Sequence, residues 1–292
     1  MMDKKLKLGI PKGSLEESTM NLFAKAGFVI SVKSRSYKPF CDDPELDILL
    51  CRPQEMAKYI TDGIVDCGIT GYDWICESGL ALKQICELKY SKSSSAPARW
   101  VIAVPEESKI TKVSDLNGKR ISTEMMGYLE KWLSEKGVKA KIDFSWGATE
   151  TKAGTLADAI FELTETGESL RRNRLRIIAE VLESTTRFVA SFKSYRDTWK
   201  KNKMQDIALL LTGALAAFEL VGLKMNLKKN RLAAVKKVLP AGKMPTVSPL
   251  TSPGWVALEV VIGEKTAREI IPNLKKAGAS DIIEYLLTKV VK

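Results

Sequence analysis

The segment Asp158-Ala159-Ile160-Phe161-Glu162-Leu163 reads as a buried strand that runs into Thr164-Glu165-Thr166-Gly167-Glu168-Ser169-Leu170, where a helix begins. Backbone N–H groups left free at a helix start form a nest for an anion. Thr166 and Ser169 add hydroxyl donors, and Gly167 lets the chain come close to a ligand. Asp158 and Glu162, ahead of the loop, suit the hydroxyls of a sugar. Glu165 and Glu168 would repel a phosphate, so they must point outward or act through a cation. The segment therefore reads as a phosphate cradle, although an ordinary capped strand-to-helix turn has the same residue types.

Other reactive side chains also fall directly after strands, where ligands bind in open α/β sheets. Lys12, in Pro11-Lys12-Gly13-Ser14, is a mobile point charge suited to phosphate. Arg52, in Cys51-Arg52-Pro53, has its backbone fixed by the proline and presents a planar fork for phosphate or pyrophosphate. The run from Asp66 to Trp74 holds two glycines and can lie against a flat base or sugar. Ser145-Trp146-Gly147-Ala148-Thr149-Glu150 leaves room for a ligand around its glycine. The chain has no histidine, which excludes Ser-His-Asp triads, Cys-His pairs and imidazole metal sites. Its five cysteines form no CxxC pair, so reduced, mostly buried thiols are expected rather than disulfides or a zinc site. Chemistry must come from carboxylates, lysines, arginines, backbone amides, a bound cation or position.

The elements around these residues alternate. Strands at 6–10, 46–51 and 66–70 are followed by helices at 15–26, with Ser14 as N-cap, at 54–62, and after Gly71. A Ser/Lys-rich crossover at 88–97 leads to a second unit, with strands at 99–104, 120–122 and 157–163 and a helix near 125–136. This predicts two α/β lobes with mostly parallel sheets and a cleft between them. After a helix from Gln205 to Leu220, the chain reads strand, helix, strand, strand, helix, strand. That order is ferredoxin-like, and the module carries no evident catalytic group.

Composition narrows the class further. A hydrophobic share of 45% and a charged share of 28% permit a packed core and exclude global disorder. The uncharged apolar run from Ile207 to Phe218 is well short of the ~20 residues that span a bilayer. No apolar signal core follows the first lysines, so a cytoplasmic protein with no membrane association is expected. The net charge of +11 is concentrated in the C-terminal third, in short clusters without interleaved aromatics. Such clusters read as solvated helix ends, not as a nucleic-acid surface.

Taken together, LGIPKGSLEESTMNLFAKAG, RPQEMAKYITDGIVDCGITGYDW, FSWGATE, LADAIFELTETGESLRRNRLRII and LESTTR resemble the ATP phosphoribosyltransferase family. The last seventy or so residues, with TVSPLTSPGWVALEVVIGEKTAREIIPNLKKAGASDII, resemble the C-terminal domain of its long form. The resemblance implies a two-lobed catalytic core of the periplasmic-binding-protein type II kind plus a ferredoxin-like (ACT-like) βαββαβ domain. It implies a first lobe of 1–93 and 184–209, a second of 94–183, and a histidine-binding regulatory domain of 210–292. Phosphoribosyl pyrophosphate would lie with its 5′-phosphate in Glu165, Thr166, Gly167, Glu168 and Ser169. Asp158 and Glu162 would face the ribose, and Lys12, Arg52 and Arg99 the pyrophosphate and ATP phosphates. Tyr72, Asp73 and Glu124 would lie near the nucleotide. Lys12, Arg52 and Asp158 would carry catalysis, with Mg²⁺ riding on the pyrophosphate and no dedicated protein metal site. N1 of adenine would attack C1 of the ribose in the first step of histidine biosynthesis, under feedback by histidine, in a dimer-based hexamer. Ser14 stands where many members carry arginine, which shifts one phosphate contact to Lys12 or a neighbouring subunit. A two-lobed binding protein or sensor for a phosphorylated ligand is the alternative.

Overall fold

The computed structural model describes residues 4–33, 36–90 and 97–291. The chain divides into two compact units, 1–208 and 209–292. The first contains two sheets. Its opening lobe runs β1 (Leu6–Pro11), α1 (Glu16–Ala26), the short pair β2 (Ile30–Ser31) and β3 (Phe40–Cys41), β4 (Leu46–Cys51), α2 (Pro53–Thr61), β5 (Cys67–Gly71), α3 (Tyr72–Ser78) and β6 (Lys83–Leu88). The second lobe follows with β7 (Ala98–Pro105), β8 (Arg120–Thr123), α4 (Met126–Glu135), β9 (Lys141–Phe144), β10 (Ala159–Thr164), α5 (Glu168–Arg172) and β11 (Leu175–Ser184). The chain then returns through β12 (Thr186–Ala190), α6 (Phe192–Arg196) and α7 (Thr198–Ala216).

The sheet orders are β4-β1-β5-β12-β6 and β11-β7-β10-β8-β9. In each, four strands run the same way and one, β12 or β7, lies antiparallel between the third and fourth of them. β12 closes the first sheet after the chain has built the second, and β7 enters the second straight from the first. Each lobe is thus the same second-first-third-returning-fourth arrangement, the type II periplasmic-binding-protein topology. The sheets are mostly parallel, as expected, with one antiparallel strand inserted in each. β6, β11 and β12 were not legible as strands. β11 carries two register shifts and is half-exposed along much of its length, which erases a period of two.

The first lobe packs Leu8, Ile10, Phe23, Ile48, Met56 and Ile60 at or near zero exposure. Gly9 and Gly68, on adjacent strands, are required by Met56: a Cβ on either would fall 2.4 or 2.3 Å from its Sδ. This close approach seats α2 on the sheet and fixes where Arg52 emerges. In the second lobe Trp100, Ile102, Ile121, Leu129, Leu133 and Phe161 form the core under α4. Helix α1 starts without a Ser14 cap. Leu15 is the N-cap residue, and the carboxylate of Glu16 reaches back to the Gly13 N–H at 3.2 Å. Helix α7 begins seven residues before the expected Gln205. Its polar first turns are held in place, because Asp197 caps it through the Lys200 N–H at 2.9 Å, and Lys203 pairs with Asp43 at 2.7 Å.

The second unit, after the end of α7, is β13 (Leu220–Lys228), α8 (Leu232–Val238), β14 (Thr246–Pro249), β15 (Trp255–Gly263), α9 (Glu264–Ala277) and β16 (Ala279–Leu286). Its sheet order is β14-β15-β13-β16 with every neighbour antiparallel, the ferredoxin-like arrangement expected. Alternate residues Val221, Leu223, Met225 and Leu227 of β13 and Val256, Leu258, Val260 and Ile262 of β15 face Val235, Ala267 and Leu274 of the two helices. Among the described residues no helix is long and apolar enough to cross a membrane. The residues expected to form the first crossover lie mostly at 91–96, outside the described residues, as do the first three residues of the chain.

Candidate active site

The C-terminal ends of β1 and β4 are tied together, because the Lys12 N–H donates to the Cys51 carbonyl at 2.8 Å. This sets Lys12 and Arg52 side by side on the wall of a cavity of about 770 Å³. Arg52 is the extended N-cap residue of α2, with Pro53 as the first helical residue, so its side chain leaves from the helix start. Lys12 Nζ lies 3.8 Å from the ring centroid of Tyr37, and the Arg52 guanidinium carbon 5.7 Å from that of Trp146.

The second lobe contributes carboxylates. Glu124 follows β8, Glu162 sits near the end of β10, and Glu165 lies beyond it; all three line the same cavity. Burial pushes the Glu162 carboxyl above its ordinary range. Hydrogen bonds from Thr149 and from the Leu163 N–H oppose this, and the charges of Glu150 and Glu124 add to it. Beneath Glu162, the fully buried Thr149 and Ser145 hydroxyls lie 2.9 Å apart, and Lys152 Nζ donates to Ser145 at 2.6 Å. The loop around Ser145 is thus anchored from below, which a sequence scan of small residues could not show.

Asp73 also lines the cavity, from the first turn of α3. It is buried, and burial raises its carboxyl while hydrogen bonds from Trp100, the Trp74 N–H and Ser184 oppose the shift. Ser184, Thr185 and Thr186, at the return from the second lobe to the first, complete the wall beside Trp100. Tyr37, Trp100 and these hydroxyls were not singled out from the sequence. Only the quoted LESTTR stretch pointed at the last three.

The Thr166–Ser169 loop turns on Gly167, whose φ of +73° is left-handed. The Gly167 N–H donates to Thr164 Oγ1 at 2.8 Å, and the Glu168 N–H to Thr166 Oγ1 at 3.4 Å. The Ser169 hydroxyl bonds Glu150. Glu168 points outward and pairs with Arg172 at 2.5 Å, as the cradle reading requires, whereas Glu165 faces the cavity. Thr166, Gly167, Glu168 and Ser169 themselves stand outside the cavity lining.

Beyond these four, three further expected site residues are not brought to the cavity. Asp158 precedes β10 and accepts the Arg120 N–H at 2.9 Å, with Lys119 3.9 Å away. The strand separates it from the loop by roughly 20 Å at ~3.3 Å per residue. Its acidic type suggested a sugar contact; its position gives it the start of β8 instead. Arg99 stands opposite Thr164 in the β7–β10 register, with its guanidinium taken by Glu180. Tyr72 lies beneath the guanidinium of Arg187, 5.2 Å from its ring centroid.

Residues 52–213 match the family model for ATP phosphoribosyltransferase, and residues 217–289 the model described as HisG, C-terminal domain. The chain is 54% identical over 291 residues to the ATP phosphoribosyltransferase of Thermodesulfovibrio yellowstonii, covering 100% of both chains. It is 52% identical over 289 residues to the enzyme of that name from Chlorobium luteolum, covering 99% of this chain and 98% of that one. Among solved structures it resembles the ATP phosphoribosyl transferase (HisG:HisZ) complex from Thermotoga maritima, with 27% identity and a TM-score of 0.61 over 71% of this chain and 98% of that one. With family models over both units and relatives above half identity along its whole length, this chain belongs to the ATP phosphoribosyltransferase family.

Proposed function

We propose that the chain joins the phosphoribosyl group of phosphoribosyl pyrophosphate to N1 of ATP in this cleft, releasing pyrophosphate, as the first step of histidine biosynthesis. The observation that carries the residue assignment is the opposition of Lys12 and Arg52 on one wall to Glu124, Glu162 and Glu165 on the other. Departure of pyrophosphate leaves an oxocarbenium-like ribose, so positioning and charge do most of the work and no imidazole is needed. Lys12 and Arg52 neutralise leaving phosphate oxygens. Glu162, ionised, faces the developing positive charge of the ribose. The Thr166–Ser169 loop takes the 5′-phosphate through the first-turn amides of α5, after its hydroxyls exchange their internal partners for the ligand. Asp73 supports the wall on which the nucleotide rests.

The family works with a divalent cation, and Mg²⁺ is the ion we propose. Among the described residues no three carboxylates or thiols converge on one point that would hold a metal alone. Glu162 and Glu165 fit an ion that arrives on substrate oxygens, where it would offset the charge of the leaving group. We further propose that the C-terminal unit binds histidine as a feedback inhibitor and that the chain works in the cytoplasm as a homo-oligomer, a hexamer built from dimers. The match of residues 217–289 to the family's C-terminal domain supports the regulatory part.

The test is product formation from ATP, phosphoribosyl pyrophosphate and Mg²⁺, followed by ultraviolet absorbance with and without histidine. Turnover suppressed by histidine is the expected result. Turnover insensitive to histidine removes the regulatory assignment alone. Tight binding of phosphoribosyl pyrophosphate without turnover overturns the catalytic one and favours a binding protein.

A further inference from the structure

Both cations on the cavity wall rest on aromatic rings, and neither takes part in an ion pair among the described residues. The same cavity is lined by Glu55, Glu124 and Glu162, so carboxylates are at hand with which neither Lys12 nor Arg52 pairs. The rings are otherwise unexplained. Tyr37 is 57% exposed and Trp146 75% exposed, values at which neither contributes to a core. Phe144 meets Trp146 edge-on at 5.8 Å and 71°, which buttresses the indole from its own lobe.

The physical difference between the two kinds of partner decides what the rings do. A carboxylate would neutralise the cation and would have to be displaced by an arriving phosphate. A ring attracts the cation through its quadrupole, carries no charge, and is worth about two- to fivefold in an equilibrium at an exposed site. The cation is held in place with its full charge available. The two pairs differ in one respect. Tyr37 and Lys12 both belong to the first lobe, whereas Arg52 is in the first lobe and Trp146 in the loop after β9 of the second. Arg52 is aimed by Trp146 only while the lobes stand at this separation.

We infer that Tyr37 and Trp146 are positioning residues, which act through Lys12 and Arg52 to keep two uncompensated positive charges pointed at the substrate's phosphates. This rests on the reading that Lys12 and Arg52 meet phosphate, and the experiment separates the two. Tyr37→Leu and Trp146→Leu are made in the full chain beside Tyr37→Phe, Trp146→Phe, Lys12→Ala and Arg52→Ala, and KM for phosphoribosyl pyrophosphate and kcat are measured at saturating ATP and Mg²⁺. The leucine variants are expected to raise KM about two- to fivefold with kcat within twofold, and the phenylalanine variants to restore it. Trp146→Leu added to Arg52→Ala, or Tyr37→Leu added to Lys12→Ala, is expected to have no further effect. Wild-type KM in both alanine variants would overturn the phosphate reading itself. Impaired alanine variants with leucine variants at wild-type KM, with no rescue by phenylalanine, or with effects that multiply in the doubles, would overturn the positioning role alone.

Discussion

The Nε1–H of Trp100 donates to Oδ2 of Asp73 at 2.8 Å, and this bond joins α3 of the first lobe to β7 of the second. The Asp73 N–H donates to Ser184 Oγ at 3.1 Å, at the end of β11. One buried aspartate therefore holds both places where the chain passes between lobes. The far end of α3 repeats the connection: the carboxylate of Glu77 accepts the Gly127 and Tyr128 N–H groups at 3.0 and 2.8 Å, at the start of α4. Helix α3 follows a first-lobe strand but is fastened at both ends to the second lobe.

Removing this aspartate should expose the cost of the connection. Asp73→Ala leaves the Trp100 N–H buried without an acceptor, and we expect a loss of about 2–4 kcal/mol. Asp73→Asn keeps an acceptor and should lose about half of that. Denaturant titration of the three proteins measures it, and an alanine variant within about 0.5 kcal/mol of wild type would refute the role. The sign with pH is also fixed. Burial holds the folded carboxyl above its unfolded value near 3.8, so the native state binds the proton more tightly. The contribution of Asp73 to stability falls as pH rises from the unfolded value through the folded one, and Asp73→Asn should flatten that fall.

Asp66 behaves in the opposite sense. Burial would raise its carboxyl, but hydrogen bonds from Lys200, the Lys7 N–H and Ser194, with the Lys200 charge, outweigh burial and lower it. Lys200 Nζ is 2.5 Å from Asp66 Oδ1, and Ser194 Oγ 2.7 Å from the same oxygen. The stabilisation is complete above the unfolded value near 3.8 and is lost as pH falls through the lowered folded value. Asp66→Asn should cost about 1–3 kcal/mol at neutral pH and shrink the acid-induced loss of stability. An unchanged acid limb in urea melts taken from neutral pH downward would show that the cluster carries no such linkage.

These anchors explain which parts of the molecule could be read in advance. Short apolar strands bounded by glycine and proline, such as Leu6–Pro11 and Leu46–Cys51, announce themselves because both faces are buried. The strands that exchange between lobes did not, because β11 is bulged and half-exposed and β6 mixes polar and apolar residues on an edge. Within the site, Lys12 and Arg52 were legible from their place after strands, and Asp73 only through the family resemblance. Glu162 and Asp158 looked alike in sequence, and only the direction of β10 separates the one facing the cavity from the one at its other end. Tyr37 carried no local signal, since it reaches Lys12 from a loop between two strands that are not its neighbours in the main sheet.

Gly167 ties backbone geometry to ligand binding. A left-handed φ costs an ordinary residue ~1–2 kcal/mol, and a Cβ there would meet Arg171 Nη1 at 3.2 Å. Gly167→Val should therefore both strain the loop and obstruct it. Gly167→Asn is the sharper test, because asparagine tolerates the left-handed region and leaves only the added side chain. We expect Gly167→Asn to melt within a few degrees of wild type and to bind phosphoribosyl pyrophosphate at least tenfold more weakly by calorimetry. Wild-type affinity in that variant would remove the loop from the phosphate site.

The pH dependence of catalysis should report on Glu162. Its ionised form is the one assigned to face the ribose, and burial keeps the carboxyl above the ordinary value of 4.5. The acid limb of kcat/KM should lie above that value, with activity rising as pH rises through it. Glu162→Gln should lower kcat by about 100-fold or more and abolish the limb, while the protein still binds phosphoribosyl pyrophosphate. Thr149→Val gives a second, directional check. The Thr149 hydrogen bond favours the ionised form, so its loss should move the limb to higher pH without abolishing turnover. A limb that stays in place in Thr149→Val, or survives in Glu162→Gln, would mean that another group titrates and that Glu162 does not meet the reacting sugar.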